Sequence, residues 1–436
     1  MSATKRVLII TYYWPPSAGS GVQRWLKFAK YLPGYDWDPV IFTPENPDFD
    51  LKDPLMEKEV SPDMEVLKFP IWEPYQVLRM LKKEKISDPG VIIEKKQKTW
   101  FDKVAIWIRA NAIIPDPRVY WVKPSVKFLG QLMDSNNFQA VITTGPPHSM
   151  HLIGRDLKRR HRIPWLADFR DPWSSWEFLD TLPMIDWVKK RHRRLEGSVF
   201  QEADALVTIS PTFRQEMGQL AGREIHVITN GFDPADLPSD FSMQPPASET
   251  LEIVYTGVID AIRDPMPFLV AMKEVFGQTT DKVKLTFVGR VSLQVKNTIM
   301  EDSWFSSHVE LAGYVSHEAV FQYYEKAHVL LLILTNTKNA KGNIPGKVFE
   351  YMATGRRIIA LGDPKGDTAQ ILRQAQAGEV FRHEDSTGIR SFLENGPIKS
   401  GDSQQSSMNV SYERKNLTGE LADLLDKIAV GQSTVG

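Results

Sequence analysis

The densest chemistry in this 436-residue chain lies at 342–361, GNIPGKVFEYMATGRRIIAL. Pro345-Gly346 reads as a turn, and Lys347 and Glu350, three apart, share one face of the helix that follows. A lysine in a first helical turn opposes the helix dipole, and a diphosphate placed there removes the conflict. Glu350, one turn in, can accept hydrogen bonds from two ribose hydroxyls. Upstream, YTGVIDAIRDP (255–265) and FVGR (287–290) are strand-to-glycine turns. Gly257, Gly289 and Gly346 let backbone N–H groups approach phosphate, and Arg263 supplies charge.

Three further clusters fall in the first half. PPSAGSGVQRW (15–25) is a glycine-containing loop opening a helix, with Gly19 and Gly21 as its permissive positions. It is either a place where backbone meets an anion or a sugar, or an ordinary tight turn. It is not the dinucleotide fingerprint, since the residue three after Gly21 is Arg24, and a nicotinamide oxidoreductase is disfavoured. TTGPPHSMHLIG (143–154) puts His148 and His151 three apart at a strand end, either structural or binding sugar or phosphate. With no third ligand evident, they do not suggest a metal. WLADFRDPW (165–173) carries Asp168, Arg170 and Asp171 after another strand. Three charges in four positions at such a place imply use, or an Arg–Asp pair bracing the loop.

Positioning these groups requires strands that end beside them. Apolar runs expected as strands are 7–11, 40–43, 66–69, 140–144, 165–168, 205–209 and 226–229, then 253–256, 284–288, 309–311, 329–334 and 358–361. Amphipathic helical segments alternate with them, the pattern of parallel sheets covered on both faces. Val22, Trp25, Leu26, Ala29 and Leu32 follow helical spacing, with Gln23, Arg24, Lys27 and Lys30 on the opposite face and Gly34 ending the helix. Leu417, Leu421, Leu424, Leu425 and Ile428 mark a last helix, after a polar stretch, 396–409, expected to be mobile. The Pro- and Ser-rich 236–250 reads as a linker. The expected organisation is thus α/β: a Rossmann-like domain over 1–235, a linker, a second such domain over 251–410, and a terminal helix over 411–436.

Composition bounds the chemistry. The absence of cysteine excludes disulfide scaffolds, thiolate catalysis, Fe–S clusters and Cys-ligated zinc. The net charge of -1 gives no overall reason to expect nucleic-acid binding. That sum hides an asymmetry: 1–235 holds 33 Lys+Arg against 29 Asp+Glu, and 236–436 holds 20 against 25. Eleven of the 12 Trp fall in the first part, so the two parts are expected to meet different partners. The basic, apolar start ends at Pro15-Pro16 with no cleavage site and reads as a first strand, not a signal peptide. No run approaches ~18 apolar residues.

Taken together, these residues resemble the GT-B glycosyltransferases of the family-4 type. The resemblance spans nearly the whole chain: PPSAGSG, VTISPTF (207–213), VITNGFDP (227–234), YTG (255–257), FVG (287–289), VELAGYVSHEAVFQYYEKAHVLLLI (309–333) and GKVFEYMATGRRIIA (346–360). It implies two Rossmann-like domains facing a cleft, with the last helix returning to the first. It implies retaining transfer of a sugar from a nucleotide-diphosphate donor (UDP or GDP) on the second domain to a cell-envelope glycan or lipid-linked acceptor on the first. Neither metal nor other cofactor is implied. By the same resemblance Glu350 holds the ribose and Arg263 and Lys347 neutralise the leaving diphosphate, while Asn230, Gly231 and Asp233 match a binding signature. Asp171 stands near the family's histidine–aspartate pair, with Arg170 in place of the histidine. His151 and His148 neighbour the expected sugar-side histidine. Three departures stand out: Gly342 where a glutamate is usual eight before Glu350, Val258 where an arginine is usual, and no clean match for that histidine. Gly342 motivates the alternative of a non-catalytic nucleotide-sugar-binding homologue acting in a complex. No convincing extra carboxylate set supports a sugar-nucleotide epimerase.

Residues 79–127 hold 12 Lys+Arg and 5 Asp+Glu, and Trp100, Val104, Trp107, Ile108 and Asn111 form one helical stripe there. KKRHRR (189–194) and RDLKRRHR (155–162) add charge. Tryptophan beside basic residues suits docking on anionic lipid, the other reading being a Trp face packed on the domain. A cytoplasmic protein, peripheral on the inner membrane face, is the expectation.

Overall fold

The computed structural model describes residues 4–49, 52–73, 100–279, 282–395 and 410–430. The chain divides into two compact units, the described residues of Met1–Thr229 with Arg414–Gly436, and Asn230–Glu413.

The first unit runs β1 (Lys5–Ile10), α1 (Ser20–Tyr31), β2 (Trp37–Pro44), β3 (Val66–Phe69), α2 (Trp100–Ala112), α3 (Val119–Asn136), β4 (Phe138–Gly145), α4 (Ser149–His161) and β5 (Trp165–Phe169). It continues through α5 (Glu177–Asp180), α6 (Asp186–Glu202), β6 (Ala205–Thr208), α7 (Pro211–Ala221) and β7 (His226–Val227). The strands form one parallel sheet in the order β3-β2-β1-β4-β5-β6-β7. Chain order reverses between β1 and β4, so their carboxyl ends open the crevice where ligands of such sheets bind. The continuous apolar runs are explained by burial on both faces: Val7 to Ile10 and Val40 to Phe42 are fully buried.

The second unit holds β8 (Thr250–Thr256), α8 (Met266–Phe276), β9 (Lys282–Val288), α9 (Leu293–Glu301), α10 (Ser303–His308), β10 (Val309–Gly313), α11 (His317–Lys326) and β11 (Val329–Ile333). α12 (Lys347–Ala353), β12 (Arg357–Leu361), α13 (Asp367–Gln374), β13 (Gly378–Phe381) and α14 (Ser386–Glu394) complete it. Its parallel sheet runs β10-β9-β8-β11-β12-β13, with the reversal between β8 and β11. Every strand read from the sequence is present. β13 was not anticipated: it is a short edge strand whose residues, GEVF, are all at least partly exposed, so no apolar run marks it.

The final helix, α15 (Arg414–Val430), belongs to the first unit. Leu417, Leu421, Leu424 and Leu425 pack with Val22, Trp25, Leu26 and Ala29 of α1, each buried leucine contributing on the order of 1.5–3 kcal/mol relative to exposure. Trp37 Nε1 donates to Asp426 Oδ1 at 2.8 Å, and Tyr35 Oη donates to the Lys415 carbonyl at 2.8 Å.

The polar face assigned to α1 is a correction. Arg24 and Lys27 are 1% and 2% exposed, because Arg24 turns inward to Asp168 and Lys27 pairs with Glu59 at 2.8 Å. The helix also stops at Tyr31, before a 3-10 turn over Leu32–Tyr35. Residues 236–249 lie on the second unit: buried Arg356 donates to the carbonyls of Ser242 and Met243, and His328 Nε2 bonds the Pro246 carbonyl. The basic stretch 79–99 and the polar stretch 396–409 lie outside the described residues. Among the described residues no helix is long and apolar enough to cross a membrane.

Candidate functional site

In the second unit the candidate groups gather where β8 ends. Gly257 and Gly289 have φ of +121° and +130°, a region closed to most L-residues. A Cβ on Gly289 would lie 2.1 Å from the Gly257 carbonyl oxygen, and one on Gly257 would lie 2.3 Å from Lys347 Nζ. Both positions are therefore glycine because backbone and an ammonium pass there. Gly346 caps α12, which carries Lys347 and Glu350.

Half-buried Lys347 donates to the Thr256 carbonyl, and its ammonium lies over the Tyr255 ring, 4.5 Å from the centroid. The Thr256 carbonyl and the Tyr255 ring thus offset part of the conflict with the helix dipole inside the protein. Burial, then the neighbouring Arg263, brings the Lys347 pKa down to about 8, while Glu350 and Asp260 oppose the shift. Arg263 is steadied by Asp260 at 2.7 Å. Glu350 is half-buried and accepts from Tyr324 Oη at 3.4 Å. Tyr351 Oη accepts from the Thr256 amide at 2.9 Å, tying α12 to the end of β8. Lys347, Arg263, Glu350, Gly257 and Gly289 therefore share one locus. Gly342, eight before Glu350, is buried and puts no carboxylate there. Asn230 is buried at the start of the unit, and Asp233 accepts from the Ala235 amide to cap a 3-10 turn.

In the first unit Gly19 caps α1, and Gly21 is occupied from above: a Cβ there would lie 2.0 Å from Arg170 Nη1. The Arg170 guanidinium donates to the Pro146 carbonyl, lies 6.0 Å from the Tyr13 ring centroid, and has a buried Nε without a partner among the described residues. Asp171 is half-buried, and burial raises its carboxyl above the usual range against the pull of Arg170.

Two assignments change here. Asp168, expected to bind substrate, is 1% exposed and fully engaged: by Arg24 at 2.8 Å, Trp25 Nε1 at 3.0 Å and Thr144 Oγ1 at 3.0 Å. It is a brace, and its partner is Arg24 rather than the adjacent Arg170. His151, expected to be catalytic, is 0% exposed beneath Gly145, with Nδ1 2.9 Å from Thr143 Oγ1 and its ring stacked on Phe169 at 4.3 Å. Burial drives its pKa down to about 3, so it is a neutral structural imidazole that reaches no solvent.

His148 differs. It is the N-cap residue of α4, 7% exposed, and stacks on Trp173 with centroids 4.9 Å apart and planes 1° from parallel. Neither ring nitrogen has a partner among the described residues. Sequence reasoning overlooked Trp173 and His192, which surround this group. The signal was available in DPW and KKRHRR, where the basic run hid a histidine on the inward face of α6.

Comparisons with known proteins bear on this arrangement. A family model described as glycosyl transferase 4-like domain matches residues 91–231, and one described as glycosyl transferases group 1 matches 250–393. No curated protein is matched by the sequence. Among solved structures, sucrose-phosphate synthase from Thermosynechococcus elongatus is 14% identical, with 99% of this chain and 98% of that one covered and a TM-score of 0.60. HepE of Anabaena in complex with UDP-glucose is 13% identical, with 99% and 98% covered and a TM-score of 0.57. The N-terminal domain of trehalose-6-phosphate phosphatase from Candida albicans is 12% identical, with 98% and 97% covered and a TM-score of 0.61. At these identities the likeness is one of fold.

Proposed function

We propose that this chain, a GT-B glycosyltransferase by its fold and its two matching family models, moves a sugar with retention from a nucleotide-diphosphate donor to a cell-envelope glycan or lipid-linked acceptor. The observation that carries the donor side is the convergence of Lys347, Arg263 and Glu350 on the glycine-lined end of β8, beside the point where strand order reverses. A donor bound there would lay its diphosphate toward Lys347 and Arg263. Two cations facing the departing phosphate stabilise the charge that develops as the glycosidic bond loosens toward an oxocarbenium-like transition state. The reading assigns this role to side chains rather than to a metal. We assign the ribose hydroxyls to Glu350, because a carboxylate on this helix face accepts hydrogen bonds from hydroxyl groups.

On the first unit, the reading places the acceptor at the carboxyl ends of β4 and β5, where Arg170, Asp171 and His148 stand. The exposed Trp100 and Trp107 of α2, and Trp187 beside the basic 189–194 run, support peripheral attachment to an anionic membrane. Incubating the purified protein with UDP- and GDP-sugars and a membrane lipid extract, and following nucleotide release, tests the reading. Turnover with at least one donor is expected.

One observation favours a second reading. Gly342 leaves a family carboxylate missing, so the locus could bind a nucleotide sugar and serve a complex without turning it over. Saturable nucleotide binding with no release across the whole panel would select that reading.

A further inference from the structure

The first unit holds a cleft walled by Trp176, Phe178, Leu179 and Leu182, and reached by Arg109, His148 and His192. Its lining is mostly apolar, and its ionisable members are Arg109, His148, His192 and Asp116, the last engaged by the Ser149 amide and hydroxyl. His148 is more than nine-tenths buried, lines the cleft, and leaves both ring nitrogens unpaired among the described residues. Next to it, His192 Nδ1 accepts from Trp173 Nε1 at 3.1 Å, so the proton of neutral His192 sits on Nε2. Leaving the His148 nitrogens unsatisfied in such a pocket costs roughly 1–3 kcal/mol each, a cost that a polar ligand group removes.

Beside the cleft lies an apolar collar. Trp107 and Ile108 on α2 are each 49% exposed, and Ile185 and Trp187 at the start of α6 are 48% and 59% exposed. The two elements are joined by Asn111, whose Nδ2 donates to the Pro183 carbonyl and whose Oδ1 accepts from the Ile185 amide, both at 2.9 Å. Behind the collar, Lys189, Lys190, Arg191, Arg193 and Arg194 are exposed on α6, and the Arg191 guanidinium lies 5.6 Å from the Trp187 ring centroid. Exposed tryptophan backed by cations matches a phosphate-headed amphiphile, whose approach the basic side favours.

We propose that this cleft binds the apolar chain of one phosphate-headed lipid, with the head polar groups at His148, His192 and Arg109. For its link to sugar transfer the proposal rests on the reading above, since it makes the acceptor lipid-linked. Chain binding itself is measured without donor.

The probe is dodecyl phosphate below its micelle concentration, titrated into the full chain by calorimetry and tryptophan fluorescence. Inorganic phosphate and octyl glucoside provide the head and the chain separately. The expected result is saturable binding of one dodecyl phosphate per chain, no measurable binding of phosphate alone, and weaker binding of octyl glucoside. From octyl to dodecyl phosphate, affinity should rise about three- to fourfold per methylene until the cleft is filled. Leu182→Asp, at a half-buried wall position, should weaken binding at least tenfold. Photo-crosslinking of the unsubstituted protein with a diazirine-tailed alkyl phosphate should label 173–192, and this arm holds even where Leu182→Asp fails to fold. Equal binding of phosphate and dodecyl phosphate would overturn the proposal, as would many lipids bound per chain or labelling confined elsewhere. So would a Leu182→Asp variant that splits a dimer while binding lipid normally, which would make this face a contact between copies. UDP and GDP titrations on the same protein report the donor locus separately, so failure of the transferase reading and failure of the lipid cleft are distinguishable.

Discussion

Arg24 and Asp168, 144 positions apart in sequence, form an ion pair in which each side chain is 1% exposed and the closest N–O distance is 2.8 Å. Arg24 also donates to the carbonyls of Ile228 and Thr229 at 2.9 Å. One guanidinium thus joins α1, the end of β5 and the segment after β7, and every polar atom of Asp168 is spoken for. Removing one partner of such a pair leaves an uncompensated buried charge, a loss of about 3–5 kcal/mol. Arg24→Ala should lower the free energy of unfolding, obtained from urea titration, by that amount while leaving nucleotide affinity at the β8 locus unchanged. A loss under about 1 kcal/mol would show that the pair does not brace the first unit.

Lys347 should make donor affinity depend on pH. Its ammonium titrates near 8 because burial and Arg263 disfavour the charge. A bound diphosphate favours the charge and raises that value. Affinity is then full below pH 8 and falls as pH rises through it, by up to tenfold per unit until the pKa of the bound form is reached. Titrating UDP between pH 7 and 9.5 should show that decline in the parent protein and none in Lys347→Arg, whose guanidinium stays charged throughout. In Lys347→Ala, turnover should drop about 10²-fold or more, as for loss of one oxyanion-type donor.

Gly257 should be intolerant of a methyl group for two separable reasons. Its φ of +121° strains any L-residue, and the new Cβ would lie 2.3 Å from Lys347 Nζ. Gly257→Ala should cost about 1–3 kcal/mol in stability and, by displacing the ammonium, reproduce the affinity loss of Lys347→Ala. Combining the two substitutions should add little further loss of affinity, because both act on the same cation.

Glu350→Ala should weaken UDP or GDP binding while sparing inorganic diphosphate, since its assigned partner is the ribose. Calorimetry with nucleotide and with diphosphate alone separates the two, and unchanged nucleotide affinity refutes the ribose role.

The histidines of the first unit should govern its acid stability. Burial lowers His151 to about 3 and His192 to about 4, and it lowers His148, which also faces His151, Arg170 and His192. Asp168 opposes the shift at His151. An unfolded histidine takes a proton near 6.5, so the unfolded chain binds more protons than the folded one between about 6.5 and 4. The stability they contribute is complete above about pH 6.5 and is lost as pH falls through that window. Replacing His151 by Gln should reduce the slope of unfolding free energy against pH by about one proton. An unchanged slope would mean that His151 is not held neutral.

Much of the architecture was legible in the chain because it depends on local pattern. A strand buried on both faces reads as a continuous apolar run, and each of the twelve runs read from the sequence holds a strand, although β3, β7 and β10 are only partly buried. Glycine at 257 and 289 follows from the same logic, since the turns after β8 and β9 need backbone that no side chain crowds. The site was less legible because side-chain partners come from distant elements. The charges of DFRD looked alike in sequence, yet Asp168 faces inward to Arg24 while Arg170 lies over Gly21. Helical spacing put Arg24 opposite the apolar stripe of α1, but it could not reveal that Asp168 draws that side chain into the interior.

The sequence by itself determined two α/β units and the residue types able to hold a phosphate, because periodicity, turn chemistry and helix position are set by neighbours in the chain. Only the tertiary structure decided that Lys347 is satisfied by a carbonyl and an aromatic ring, that His151 is sealed, and that His148 is left with unpaired nitrogens in an apolar cleft. The physical reason is burial. Whether a polar group is a brace or a binding group depends on which partners reach it once water is excluded, and folding alone brings those partners within range.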